Sequence, residues 1–311
     1  MDRPSVSVRV PARVGLLGNP SDLYGGAVLG FALDDFGATV TLEQGGGEPR
    51  FEGPAAALLE AAWARLARRG VAPVPGGFVL RADTDVPRQV GLSGSSALVV
   101  AALRALLQVH GLTWSSFELA EEALLAETEE LGIVAGPQDR VLQAHGGLLF
   151  MDFDPARFGG RRSPEGYVRL DPGLLPELVL AWDPEPGADS GATHAGVRER
   201  WLAGDEAVRA AMAEAASLAV RGRAALERGD RDELAELVDA NFDLRTALFS
   251  LDAAAREPVE WARAAGAAAK FCGSGGAVVC VPRAGVSTEA VLAAFEARGW
   301  PTRVPRVAPA T

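Results

Sequence analysis

Residues 87–97 read Pro87-Arg-Gln-Val-Gly-Leu-Ser-Gly-Ser-Ser-Ala97 and run unbroken into Leu98–Gln108, a strong helix former. Gly91 and Gly94 let the backbone approach a ligand with no Cβ in the way. Ser93, Ser95 and Ser96 add three hydroxyls. The helix behind them offers free N–H groups and the positive end of a dipole, which together make an anion site. A phosphate chain suits this loop best, with Pro87, Gly91, Leu92, Ser93, Gly94, Ser95, Ser96 and Ala97 as the contact set. Read alone, the same residues also describe an ordinary serine N-cap after a glycine turn. Either way a strand, expected at Gly77–Ala82, has to deliver the chain to the loop, and a largely apolar helix has to leave it.

Two further stretches raise the specificity. Pro11-Ala-Arg-Val-Gly-Leu-Leu-Gly-Asn-Pro-Ser-Asp-Leu-Tyr-Gly-Gly26 lies before the loop, and Lys270-Phe-Cys-Gly-Ser-Gly-Gly-Ala277 after it. In this order the three stretches resemble the three motifs of the GHMP kinases. The resemblance extends over Glu129-Glu-Leu-Gly-Ile-Val-Ala-Gly-Pro-Gln-Asp-Arg-Val141, Gly146-Gly-Leu-Leu-Phe-Met-Asp152, Asp189-Ser-Gly191, Val197-Arg-Glu-Arg-Trp-Leu-Ala-Gly-Asp205 and Asn241-Phe-Asp-Leu-Arg245. These segments are similar to the glucuronokinases known from plants and together span nearly the whole chain.

Composition narrows the partners. The net charge of −11 argues against nucleic acid, which needs basic surface. It also opposes two anionic substrates, so local arginines, helix N-termini and a cation have to supply positive potential. No apolar run reaches membrane-spanning length and no apolar signal core follows Met1, so a cytoplasmic protein is expected. Cys272 and Cys280 are expected to be reduced. Lys270 is the only lysine among 30 basic residues. A compact ammonium at the third motif is the reading this suggests.

Strands are expected at Val6–Val10, Val14–Leu17, Val28–Leu33, Ala38–Leu42, Gly77–Ala82, Gly147–Asp152, Leu178–Trp182 and Ala277–Pro282. Helices are expected at Pro54–Gly70, Leu98–His110, Ser115–Leu131, Gln138–Ala144, about 195–229, 231–248, 254–265 and Ser287–Arg298. This mixture lacks strict βαβ alternation and predicts an α+β fold. The Pro/Gly/Arg-rich stretch 154–176 predicts a boundary, giving domains at 1–160 and 161–311. Pro301–Thr311, with three prolines, reads as extended or loose. The family resemblance implies the two-domain GHMP kinase fold, with the active site in the cleft between domains.

Phosphoryl transfer needs alignment, charge neutralisation and a group to take the hydroxyl proton. The resemblance implies that Asp139, after Gly136-Pro137-Gln138, faces the substrate hydroxyl as base; by its sequence position alone it is an N-cap. Arg13 fills the basic position of the first motif and is expected to orient Asp139 or steady transferred charge. By the same resemblance Ser95 and Glu127 hold Mg²⁺, and Asp22 binds sugar hydroxyls. Asn19 stands where an acidic residue is usual, which suits a substrate with its own carboxylate. Tyr24, Arg198, Lys270, Gly273, Ser274, Gly275 and Gly276 complete the expected sugar and phosphate contacts, with Arg200 and His194 as weaker candidates; His110 and His145 read as structural. The implied substrates are ATP and a small sugar acid, D-glucuronate, on a monomer or homodimer. Other anomeric sugar kinases (for galacturonate, galactose or arabinose), a non-catalytic sugar- and nucleotide-binding relative, and a decarboxylase of the mevalonate branch remain as alternatives.

Overall fold

Two long strands, β1 (Ser5–Leu17) and β2 (Ala27–Gln44), form the spine of the first sheet. The protein is described here from a computed structural model covering residues 5–185, 191–249 and 251–311, with the backbone alone for 191–195. The sequence pattern splits each of these strands in two. The structure instead absorbs the break as a bulge, because the register jumps from Pro11↔Gly37 to Ala12↔Leu33. Proline brings no N–H to a ladder, and a bulge is where that is tolerated. Gly37 permits the close approach, since a Cβ there would lie 2.7 Å from the Val10 carbonyl oxygen. β3 (Arg50–Glu52) and β4 (Phe78–Thr84) extend one side of β2; β5 (Leu148–Asp152) and β6 (Tyr167–Leu170) extend the other.

Helices α1 (Ala56–Arg68), α2 (Gly94–Val109), α3 (Ser116–Leu125) and α4 (Gln138–His145) cover one face of this sheet. Leu42, Leu59, Phe78, Leu103 and Leu106 are fully buried between them. A capping box opens α3: Ser115 accepts from the Glu118 amide, and Glu118 accepts from the Ser115 amide.

The opposite face meets α6 (Glu206–Arg228) and α7 (Arg231–Phe249), which follow α5 (Gly191–Leu202). The single helix expected over 195–229 is two, because Asp205 accepts from the amides of Ala207 and Val208 and caps a new start. A second sheet runs β10-β7-β9-β8, from β7 (Val179–Trp182), β8 (Ala267–Phe271), β9 (Ala277–Pro282) and β10 (Thr302–Arg303). α8 (Ala253–Ala264) and α9 (Thr288–Glu296) pack on it through Val259 and Phe295. β8, which carries Lys270, is absent from the sequence reading; its Ala-rich stretch lacks the β-branched residues that announce a strand.

Two expectations need correction. The first sheet continues past residue 160, since β6 pairs with β5 from Tyr167↔Met151 to Leu170↔Leu148. The segment 301–311 is extended but not loose. Ala308 is buried, Val307 bridges Leu33, and backbone bonds run Asp34 N→Arg306 O (2.9 Å), Ala308 N→Ala32 O (2.8 Å), Gly147 N→Ala308 O (3.0 Å) and Thr311 N→His145 O (2.9 Å). Among the described residues no helix is long and apolar enough to cross a membrane.

Net backbone hydrogen bonds contribute about 0.5–1.5 kcal/mol each. Deleting residues 306–311 is therefore expected to lower stability by roughly 2–4 kcal/mol and Tm by about 3–6 °C. Thermal melts of the full and shortened chains check this, and an unchanged Tm would show that the segment only rests on the sheet.

Candidate active site

Four segments converge: β1, the loop before α2, the start of α4, and the loop between β8 and β9. Arg13, on β1 and 4% exposed, joins them. Its Nε and Nη2 donate to the two carboxylate oxygens of Asp139 at 2.6 and 3.0 Å. Its Nη1 donates to the Gly91 carbonyl (2.5 Å) and the Cys272 carbonyl (3.3 Å). Burial works against the Arg13 charge, yet Asp139 outweighs it and holds the guanidinium above its ordinary pKa. The Ser93 hydroxyl also donates to Asp139, and Gln143 fixes the Ser93 carbonyl at 2.8 Å. Asp139 lies in the first turn of α4 as expected, but its side chain makes no cap hydrogen bond there.

The loop before α2 is strongly bent. Gln89, Gly91 and Ser93 have φ of 57°, 75° and 61°. Ser93 precedes α2 but its side chain does not cap it, and among the described residues no side chain is seen to take the first helical amides. Ser95 is exposed at this helix start, whereas Leu92, Ser96 and Ala97 are buried and shape the loop rather than face a ligand. Pro87 is half-buried at its beginning. The third-motif loop packs directly on this one: a Cβ on Gly91 would lie 2.8 Å from the Gly275 oxygen, and one on Gly273 2.3 Å from the Gly91 oxygen. Only glycine allows that contact.

Glu127 sits in a π-helical turn, Ala126–Glu130, that continues α3. Its neighbours Glu122, Glu129 and Glu130 pair with Arg65, Arg68 and Arg69. Glu122 and Glu127 are both buried, at 3% and 1% exposure, but Glu122 faces α1 and Glu127 is the one that reaches the α2 loop. It meets the Ser96 hydroxyl at 3.1 Å, not Ser95, and forms an ion pair with Arg140. This corrects the expected Ser95–Glu127 pair. Among the described residues no group of three or more His, Cys, Asp or Glu could hold a metal. Ser95 fits a cation that arrives bound to phosphates; Glu127, with its carboxylate committed to Arg140, does not.

Arg140 went unmarked in the sequence, although it directly follows Asp139. It is 4% exposed, donates to the Gly136 carbonyl (2.8 Å) and lies 3.8 Å from Asp139. Burial, with Arg13 nearby, lowers its pKa to about 9. Asp22 accepts from the Gln138 amide at 3.3 Å and leaves room only for glycine at position 136. Its pKa is pushed up to about 6, first by burial and then by the Asp139 charge.

Other expected contacts lie elsewhere. Asn19 is buried, and Lys270, 1% exposed, gives its ammonium protons to the Gly15 oxygen (2.8 Å), Asn19 Oδ1 (2.7 Å) and the Phe271 oxygen (2.8 Å). Lys270 therefore bolts the third motif to the first and does not face a ligand. Asn241, on α7, holds the same loop by accepting from the Gly18 amide (2.8 Å). Tyr24 packs on Trp201 and, with exposed Arg198 and Thr128, lines a cavity of about 320 Å³. A second cavity, about 480 Å³, lies across Leu23 beside Asp22, Phe117 and Arg161. Arg200 is tied to Asp205 at 2.8 Å, away from both. His110 packs on Trp63 and His145 on Tyr167, as structural residues do. Cys272 and Cys280 are buried and free. Asp189 and the His194 side chain lie outside the described residues.

Comparison with known proteins decides the family. The model of the GHMP kinases N terminal domain matches residues 56–147, and that of the GHMP kinases C terminal domain matches 223–299. The chain is 39% identical to glucuronokinase 1 of Arabidopsis thaliana over 86% of its length and 82% of that protein. It belongs to the GHMP kinases. A probable glucuronokinase 2 of the same plant is 41% identical over the same shares. Lactococcus lactis galactokinase complexed with galactose has the same fold at 17% identity, with a TM-score of 0.81 over 99% of this GHMP kinase and 95% of the other chain.

Asp22 binds its proton more tightly folded than unfolded. Its stabilising contribution is present below about pH 4 and is lost as pH rises through about 6. The stability difference between wild type and Asp22→Asn is expected to fall by roughly 2 kcal/mol across that window, read as melting curves at each pH. A difference that stays flat would contradict the raised pKa.

Glu127→Gln strands a buried Arg140 and should cost about 3–5 kcal/mol without changing the metal concentration for half-maximal activity. Normal stability with a raised metal requirement would instead identify Glu127 as a metal ligand.

Proposed function

We propose that this GHMP kinase transfers the γ-phosphate of ATP to the anomeric hydroxyl of D-glucuronate, giving glucuronate 1-phosphate and ADP. The observation that carries the chemistry is Asp139, gripped on both oxygens by Arg13 and set beside an α2 start that the Ser93 side chain does not cap. Asp139 accepts the proton of the anomeric hydroxyl as that oxygen forms its bond to the γ-phosphorus and ADP leaves. Arg13 holds the carboxylate in one orientation, so little reorganisation is needed when the proton arrives. The amides at the α2 N-terminus and the glycine loop at Gly91 receive the phosphates, and the glycine loop Gly273–Gly276 faces the sugar. Ser95 would hold a Mg²⁺ that arrives with ATP, and that ion would supply charge neutralisation for the phosphates. Asp22 accepts sugar hydroxyls, and Tyr24, in the first motif, and Arg198, on α5, border the sugar. The uronic-acid assignment rests on the identity to glucuronokinases over most of the chain. It is supported by the loss of an acidic side chain at Asn19.

ADP release with glucuronate, galacturonate, glucose and galactose, on one preparation and its Asp139→Asn variant, tests this. Glucuronate should give the highest kcat/KM, and Asp139→Asn should lower kcat by about 10²–10⁴-fold while ATP and sugar still bind. If a neutral sugar matches glucuronate, the uronic-acid assignment fails. If the variant keeps nearly full turnover, Asp139 is not the base.

A further inference from the structure

Arg13, Arg140, Arg245 and Lys270 are buried cations around the motifs. Arg13 faces Asp139 and Arg140 faces Glu127. Arg245 and Lys270 face no carboxylate among the described residues. Lys270 satisfies its charge with three neutral oxygens. Arg245, on α7 and 5% exposed, has less: one N–H bond to the Ser274 carbonyl at 2.9 Å, the rings of Phe249 and Phe271 at 5.0 and 5.7 Å, and a buried Nε with no acceptor. Burial lowers Arg245 to about 10 and Lys270 to about 7, and Arg245 adds to the second effect.

A buried cation without a counter-ion is costly. The fold does not ask for one here, because an amide could hold the Ser274 carbonyl and an aliphatic chain could pack between the rings. The charge itself is what the position retains. Ser274 belongs to the third glycine loop. Gly273 and Gly276 press this loop onto Gly91 and Val90, but a Cβ on Gly275 would meet nothing within 4 Å. The loop is therefore closed on the side of the second motif and open at Gly275, with two unneutralised cations behind it.

We propose that Arg245 is a specificity-determining positioning residue: through the third glycine loop it supplies the positive charge that seats the carboxylate of an acidic sugar, with Lys270 as a deeper second charge. This rests on the glucuronate reading above. It also assigns the selecting charge to a buried arginine on α7 in place of the exposed Arg198 on α5. A phosphoryl group would answer to the same chemistry, and the two sources separate by which substrate the variant loses.

The test is Arg245→Gln, Arg245→Lys and Arg198→Gln, with kcat/KM for glucuronate and glucose at saturating ATP, KM for ATP, and Tm. Arg245→Gln should lower kcat/KM for glucuronate by about 30–100-fold, mainly through KM, while glucose changes less than about threefold. Arg245→Lys should restore part of the glucuronate preference. Arg198→Gln, at a residue that borders the sugar, should change glucuronate and glucose alike and so leave the preference between them in place. Equal losses on both sugars would reduce Arg245 to a support for the loop and overturn the proposal. So would a loss confined to KM for ATP, which would assign the charge to a phosphate, or a loss of preference in Arg198→Gln alone. Should Arg245→Gln not fold, Arg245→Lys decides: a glucuronate kcat/KM lowered by about three- to tenfold with glucose changed less than about threefold supports the proposal, and equal losses on both sugars, or no loss on either, overturn it. A wild-type enzyme that does not favour glucuronate over glucose overturns the functional reading itself, a result no Arg245 variant can produce.

Discussion

A single guanidinium holds the active centre together. Arg13 binds Asp139 with two of its nitrogens and the carbonyls of Gly91 and Cys272 with the third. One side chain thus fixes the base and sets its distance from both glycine loops. A bidentate arginine–carboxylate pair is rigid in both partners, and burial strengthens it provided that the remaining N–H groups find acceptors. Here they do. Lys270 supplies the second fastening, tying β8 to Gly15 and Asn19 on the first motif. The three motifs lie far apart in sequence, so their mutual geometry rests on these two side chains, on glycine contacts and on the backbone bonds Arg13 N→Leu92 O (3.3 Å) and Gly15 N→Cys272 O (2.9 Å), not on any local turn.

The same cations address the electrostatic difficulty that a net charge of −11 creates for two anionic substrates. The negative charge is spread over the surface, much of it in exposed pairs such as Arg81 with Glu43 and Glu52. The positive charge near the site is buried, where screening is weak and each charge acts over a longer range. Two of the four buried cations are neutralised by carboxylates and two are not. Local charge at the motifs is therefore positive within a strongly acidic protein, chiefly through Arg245, which faces no carboxylate among the described residues, while Lys270, lowered to about 7 by burial, adds less.

Much of this was legible in the sequence. The glycine–serine loop announced the α2 start, and Gly136-Pro137-Gln138 placed Asp139 in the first turn of a helix. The inward turn of Glu127 was not legible, because a π-helical turn shifts the register that an α-helical count assumes. The same limit misplaced the serine: one residue separates exposed Ser95 from buried Ser96, and spacing alone does not resolve a bend with φ of 61° at Ser93. Lys270 stood out in the composition, but where its ammonium points did not. Composition shows that an ammonium is wanted there; only the packing shows that its three protons are already taken. Arg140 and Arg245 were hidden by abundance, since arginine is nearly every basic residue of this chain. Their burial, not their identity, sets them apart.

Glycine explains why the site tolerates so little substitution between the loops. Gly91, Gly273 and Gly276 bring two stretches of backbone together with no side chain between them, and each would place a Cβ within 2.3–2.8 Å of the neighbouring chain. Gly91 and Gly276 also have φ of 75° and 80°, which other residues rarely adopt. Any side chain at these positions would push the third loop away from the second. Arg13 would then lose either Gly91 or Cys272, and Asp139 would lose the fixed orientation that its chemistry requires. The glycines act on the base through Arg13, although none of them contacts Asp139.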